Sequence, residues 1–214
     1  MSQIKLKHSG GNSSIIAAPS SNPASDVTFR LPNADGSAGQ FMKTDGSGNL
    51  AFAAAGGAIT MADQWRITSN VATSNSISYL TSGWERVDGS GQGTLTGSGG
   101  MTESGGIFTF PSTGIYLVEW QGYFEDTGSS ATITTQVHVT TDNNTYNRRA
   151  TSINHISDIS SYTYGFVSTQ TLVDVTNTTN VKVKLAVSSE GSVALDSSSS
   201  ENRNSATFIR LGDT

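Results

Sequence analysis

Cysteine is absent, proline occurs only 4 times, and charged residues make up just 14% of the 214-residue chain. Without cysteine there is no disulfide framework, no thiolate nucleophile and no sulfur-ligated metal site. The 12 basic and 17 acidic residues leave a net charge of -5, with no run of Lys or Arg. The phosphate-contacting footprint that nucleic acid requires is therefore missing. No stretch approaches the roughly 18 apolar residues of a membrane-spanning helix. Nor does a continuous apolar region follow the opening MSQIKLKHSGG, so neither membrane insertion nor an export signal is expected.

Helical periodicity is missing too, and only 35% of the residues are hydrophobic; glycine (23), serine, threonine and asparagine fill the difference. Such a composition favours many short strands and tight turns, an all-β chain. The sharpest pattern is GGIFTFPSTGIYLVEWQGYF at 105–124, two aromatic-rich arms around a Pro-Ser-Thr-Gly turn, which predicts a central hairpin. In the second arm Tyr116, Val118, Trp120, Gly122 and Phe124 alternate with Ile115, Leu117, Glu119, Gln121 and Tyr123. The first set forms a core face. The second mixes apolar with polar residues, as a face covered by a neighbouring subunit does, so Ile115, Leu117 and Tyr123 are the candidate interface.

Three regions are expected. Residues 1–24 carry two weak extended pieces, one with Ile4 and Leu6 and one with Ile15 and Ile16, and too few apolar side chains to offset their own ordering entropy. Residues 25–58 hold three very short strands, at 27–31, 40–43 and 50–52, ending in the small-residue hinge AAAGGA. A piece this small, without metal or disulfide, predicts a collar built by several chains together. Residues 59–214 contain about nine or ten strands at short spacing, the pattern of an antiparallel β-sandwich or jelly roll.

Two resemblances attach to these regions. LPNADGSAGQFMKTDGSGNLAFA, over about 25 residues, resembles a module near the N-termini of bacteriophage fibre and appendage proteins, with Phe52 where the module often has Trp. The leader before it is similar to that of fibre-like proteins of marine phages. This implies a virion protein, attachment end first, with Ile4, Leu6, Ile15 and Ile16 as candidate anchors to other virion proteins. Phe108, Pro111, Gly114, Tyr116 and Val118, with Thr207, Phe208 and Leu211 closing the domain, resemble the trimeric jelly roll of tumour-necrosis-factor-like domains and the complement globular head. That implies a homotrimer, with the matched residues serving core and fold. The usual glycine two residues after the closing Phe is replaced by Arg210.

Residues for chemistry are scattered. His8, His138 and His155 lack any metal-ligand spacing, and no G-x-S-x-G elbow occurs. Glu85, Asp88, Glu103, Glu119, Glu125 and Asp126 flank the central stretch, but the β-helical repeat of glycan-cleaving phage enzymes is absent. Asp45, Ser47 and Asn49 suit a turn better than a calcium loop. No enzyme activity and no cofactor or metal are expected. Asn143, Asn144, Tyr146, Asn147 and Arg148 form the candidate receptor-binding loop for a host surface glycan or protein, with a solvated turn as the structural alternative; Tyr162 and Tyr164 are a second patch. The expectation is a trimeric virion appendage, anchored by its N-terminus, whose knob projects outward. The alternative is a capsid decoration or head-fibre protein that stabilises the shell without a receptor.

Overall fold

The computed structural model describes all residues except 1–2, 18, 22, 55–58, 98, 129–130, 158–161 and 192, and leaves undescribed the side chains of 3, 5, 13–15, 17 and 54. The chain divides into two compact units, Met1–Ala58 and Ile59–Thr214.

The first unit contains two antiparallel hairpins. Strands β1 (Gln3–Lys7) and β2 (Ser13–Ala17) pair through a turn closed by His8 N–H donating to the Asn12 carbonyl at 2.8 Å. Strands β3 (Gln40–Thr44) and β4 (Leu50–Ala54) pair around the Asp45 turn. There Asp45 Oδ1 accepts from the backbone N–H of Ser47 (2.7 Å) and Asn49 (3.1 Å), so the loop satisfies its own carboxylate. The side-chain bond from Asn49, then that backbone bond from Ser47, holds the Asp45 pKa below the usual carboxylate range. The strand expected at 27–31 does not form. Its only ladder contact is a parallel bridge between Arg30 and Asn49, and Pro32, lacking an N–H, cuts the run short. No described residue of this unit is buried.

The second unit is a sandwich of thirteen strands, with no helix among the described residues: β5 (Met61–Ile67), β6 (Val71–Ala72), β7 (Ser78–Tyr79), β8 (Trp84–Arg86), β9 (Thr102–Ser104), β10 (Ile107–Thr109), β11 (Gly114–Asp126), β12 (Ala131–Thr140), β13 (Asn147–Ile156), β14 (Thr163–Val175), β15 (Lys182–Ser189), β16 (Val193–Leu195) and β17 (Ser205–Gly212). The count exceeds the nine or ten expected because several are only two or three residues long. One sheet runs β13-β12-β15-β10-β9, with β7 on β15. The other runs β6-β16-β11-β17-β5-β8, with β14 on the free side of β11.

The stretch at 105–124 is not a hairpin. β10 pairs with β15 and β9, whereas β11 pairs with β14, β16 and β17. Its turn is a corner that carries the chain from one sheet to the other. Gly114, at φ +142°, permits the corner: a Cβ there would lie 2.5 Å from the Gly212 carbonyl oxygen and 2.6 Å from Arg210 Nε. Arg210 in turn donates from Nε to the Thr113 carbonyl at 3.0 Å, fastening the corner where the resembled families carry glycine. Phe110 and Tyr116 pack across it at 4.6 Å.

The alternation along β11 is strict. Its even-numbered residues, from Gly114 to Asp126, are buried and its odd-numbered ones half-buried. Between the sheets lie Trp120, Tyr116, Phe108, Phe124 and Phe208, all fully buried, each worth roughly 1.5–3 kcal/mol of burial. Trp84 meets Phe108 (4.9 Å) and Trp120 (5.5 Å) edge-on, and Trp120 Nε1–H donates to the Ala186 carbonyl at 3.3 Å. Gly122 leaves room for these rings, since a Cβ there would sit 2.6 Å from the Phe124 ring.

Candidate functional site

Strand register defines two ends of the sandwich. At the base, Met61, near the start of this unit, pairs with Arg210 and Ile115 with Gly212. At the distal end, Asp126 lies opposite Thr163 on one side and Val193 on the other.

The outer face of the β11 sheet is banded between these ends. Near the base one row reads Leu172, Leu117, Ile209 and Ala62 across β14, β11, β17 and β5, and Leu172 is 62% exposed. Ile115, beside Asp174, extends this apolar band. The middle is polar and internally bonded: Gln64 Nε2–H donates to Thr207 Oγ1 (2.9 Å), and Ser168 Oγ–H to Glu119 (2.9 Å). Distally the face turns aromatic, with Tyr123 opposite Phe166 and Glu125 opposite Tyr164. Of the candidate interface residues, Ile115 and Leu117 thus share the basal band, while Tyr123 lies apart at the other end.

Tyr123 rims an open cleft of about 510 Å³ lined by Gln121, Tyr164, Phe166, Asp196, Glu201, Asn202 and Arg203. Tyr123 and Tyr164 stack at 5.3 Å and 8°. Arg203 pairs with Asp196 (2.6 Å) and Glu201 (3.0 Å) and lies 5.9 Å over the Tyr123 ring. The bond to Glu201, then the charge of Asp196, raises the Arg203 pKa, so the guanidinium stays charged. The Glu125 carboxylate, followed by burial, raises the pKa of the Tyr164 hydroxyl, keeping it a donor. Fully buried Asn204 anchors the loop at 196–204: its Oδ1 accepts from Tyr123 N–H (2.7 Å), and its Nδ2 donates to the Asp196 carbonyl and Ser197 Oγ, both at 2.9 Å. From sequence this loop is only a polar stretch; its one signal is an arginine among serines and asparagines beside a Tyr-x-Tyr strand.

The loop at 142–148 lies at the base, held by Asn143 N–H donating to the Asn180 carbonyl at 3.0 Å. Asn147 and Arg148 belong to β13 rather than to the loop. Asn143, Asn144, Asn147 and Arg148 are exposed. Tyr146 is not, in the same sense: Lys184 Nζ sits 4.3 Å over its ring, and its buried hydroxyl has no partner among the described residues. Burial, then the Asp142 charge, raises the Tyr146 pKa. Nearby, Tyr79 bonds His138 Nδ1 at 3.1 Å, and burial followed by the Arg148 charge lowers the His138 pKa.

Asp142 organises the turn. Its Oδ1 accepts from Thr140 Oγ1–H (2.7 Å), Thr145 N–H (2.8 Å) and Asn144 N–H (2.9 Å). The Thr140 bond, first among these, helps hold its pKa at about 2 against an ordinary 3.8. A carboxylate lowered in the folded state stabilises the turn fully above its unfolded value, and that stability is lost as pH falls through the folded one. Hydrogen exchange should therefore show the Asn144 and Thr145 amides losing protection between about pH 4 and 2 while Val137 keeps its own; an Asp142 carboxyl titrating near 3.8 contradicts this.

In the first unit, Ile4, Leu6 and Ile16 are exposed, and the Ile15 side chain lies outside the described residues. Val27, Phe29, Leu31, Phe41 and Met42 are exposed as well.

No protein-family model and no curated protein matches the sequence. Among solved structures, murine APRIL at pH 5.0 is similar to 71% of this chain over 98% of its own, at a TM-score of 0.50 and 12% identity. Eiger TNF from S. frugiperda is similar over 73% of this chain and 96% of its own, at 0.46 and 15%. The likeness is one of fold: residues 59–214 form a TNF-like antiparallel jelly roll, the class expected from the sequence.

Proposed function

We propose that the chain is a non-enzymatic structural protein of a bacteriophage particle, a homotrimeric appendage whose first 24 residues dock on other virion proteins. Residues 25–58 form a three-chain collar, and the jelly roll projects as a knob for adsorption to the host surface. One observation carries the reading. Met1–Ala58 buries no described residue, yet exposes nine large apolar side chains from Ile4 to Phe52. Such a segment does not offset its own ordering entropy and calls for a surface to cover it, while the unit joined to it is fully cored. The phage-appendage module at 31–53 supports the identity of that surface. The basal apolar band around Leu117 supports self-association, since a contiguous apolar patch on a sheet face marks an interface. Once three knobs associate, three leaders share one small volume, which raises their effective concentration.

The test is location. Antibody against the knob should label intact particles at a tail or fibre, and deletion of residues 1–24 should abolish incorporation while the purified protein stays folded. Labelling spread over the shell supports the decoration alternative, and unlabelled particles overturn both.

A further inference from the structure

The distal cleft has features that neither the core nor the basal band requires. Tyr164 and Phe166 are each 49% exposed, so both keep aromatic surface in water, Tyr164 on the side away from its stack on Tyr123, although ring burial is among the strongest contributions to a core. Around them stand Asp196, Glu201 and Arg203, with Gln121 and Asn202 behind. The cleft falls within the ~300–1,000 Å³ typical of small-ligand sites, which combine apolar walls with a few convergent polar groups. Its frame is rigid. Besides the Asn204 bonds, Asp196 N–H donates to the Tyr123 carbonyl (3.0 Å), Gln121 Nε2–H to the Asn202 carbonyl (3.0 Å) and Asn202 Nδ2–H to Gln64 Oε1 (2.6 Å). A preformed frame of this kind reduces the ordering cost of binding.

We propose that this cleft binds a neutral saccharide, one apolar ring face lying on Tyr164 and Phe166 while hydroxyls bond to Asp196, Glu201 and Arg203. The combination fits a sugar because a pyranose is itself two-sided, with C–H groups on a face and hydroxyls round its edge. Carboxylates accept from hydroxyls, and the guanidinium donates to them. Charge selects among sugars. Asp196 and Glu201 share the guanidinium of Arg203, and Glu125 accepts from the Tyr164 hydroxyl beside them, so the excess of carboxylates repels uronic, sulfated or phosphorylated residues. Position agrees with the role. The cleft is at the end of the sandwich opposite Met61, whereas the loop at 142–148 lies at the Met61 end. The proposal rests on the adsorption reading above for the origin of its ligand, a bacterial surface, but not for its chemistry. Three such sites on one trimer convert weak single contacts into firm attachment.

The test uses the full chain, with methyl glycosides of glucose, galactose, mannose and N-acetylglucosamine as probes and methyl glucuronide as the acidic comparison. Saturation-transfer NMR and calorimetry should show binding of at least one neutral glycoside and none of the glucuronide. Tyr164→Ala should weaken it about tenfold or more, the equivalent of roughly 1.4 kcal/mol, with unchanged sedimentation and melting. Should that variant fail to fold, Glu201→Gln at the exposed rim should weaken binding likewise. No neutral binding, preference for the glucuronide, or indifference to both substitutions overturns the site. A chain that competes for phage adsorption yet ignores all four glycosides rejects the saccharide site and leaves the appendage standing. Glycoside binding through Tyr164 by a chain absent from particles does the reverse.

Discussion

Leu117→Asp is expected to yield soluble monomer, or aggregate, in place of the proposed homotrimer, measured by sedimentation and light scattering on the purified chain. Leu117 lies near the basal end of β11, between Leu172 on one neighbour and Ile209 on the other, so a carboxylate there falls within the apolar band. In a symmetric trimer the change is made three times at equivalent contacts. Even after relaxation, withdrawing an unpaired charge from water costs several kcal/mol per ion, enough to cancel an interface of ordinary strength. The fold should survive. Leu117 faces away from the core, and its neighbours Tyr116 and Val118, both fully buried, are untouched. The monomer's circular dichroism and thermal midpoint should stay close to those of the parent chain, apart from whatever stability the assembly contributes by mass action. A trimer unchanged by the substitution places the contact elsewhere.

The sequence disclosed faces better than neighbours. Strict alternation from Gly114 to Asp126 identified the buried face of β11 because a period of two is a purely local property. The same stretch misled about pairing. Pro111 and Gly114 say that the chain turns but not into which sheet, and the corner between β10 and β11 is fixed by Arg210, nearly a hundred residues away. The loop around Tyr146 looked like the available aromatic. Its Lys184 lid comes from β15, across the sheet, and no local pattern reveals that. The distal cleft was hidden for the same reason. Tyr123, Tyr164 and Arg203 lie on β11, on β14 and in the loop before β17, and they converge only through strand register. What could be read outright was the poverty of residues 1–58, because a shortage of apolar side chains needs no tertiary information to be seen.

Asp63→Ala is expected to destabilise the knob by about 1–3 kcal/mol, the cost of leaving a buried donor unsatisfied, measured as a lowered urea midpoint with an unchanged slope. The Asp63 side chain is wholly buried and pairs with Arg86, whose Nε lies 3.1 Å from Oδ1. It also accepts from Met101 N–H (2.8 Å), Gln64 N–H (3.0 Å) and Trp65 Nε1–H (3.2 Å). Alanine strands all of these, and a buried donor left unmade costs more than the bond contributed. Arg86 keeps some support, from its 4.7 Å stacking on Trp65 and its bond to the Met101 carbonyl, so the loss stops short of unfolding a sound core. Arg66 cannot compensate, because Glu85 (3.1 Å) and Asp88 (2.6 Å) already hold it. Asp63→Asn should cost less, since the amide oxygen still accepts from Met101. The damage should also reach assembly. The stretch at 88–101 that Asp63 and Arg86 fasten carries Leu95, whose backbone bridges Ala62 at the end of the basal apolar row. Loosening it frays that row, so the Asp63→Ala trimer should dissociate at higher protein concentration than the parent, and Asp63→Asn at a concentration between the two. A midpoint unmoved by Asp63→Ala means that the network is dispensable and that the row is held by β5 and β17 alone.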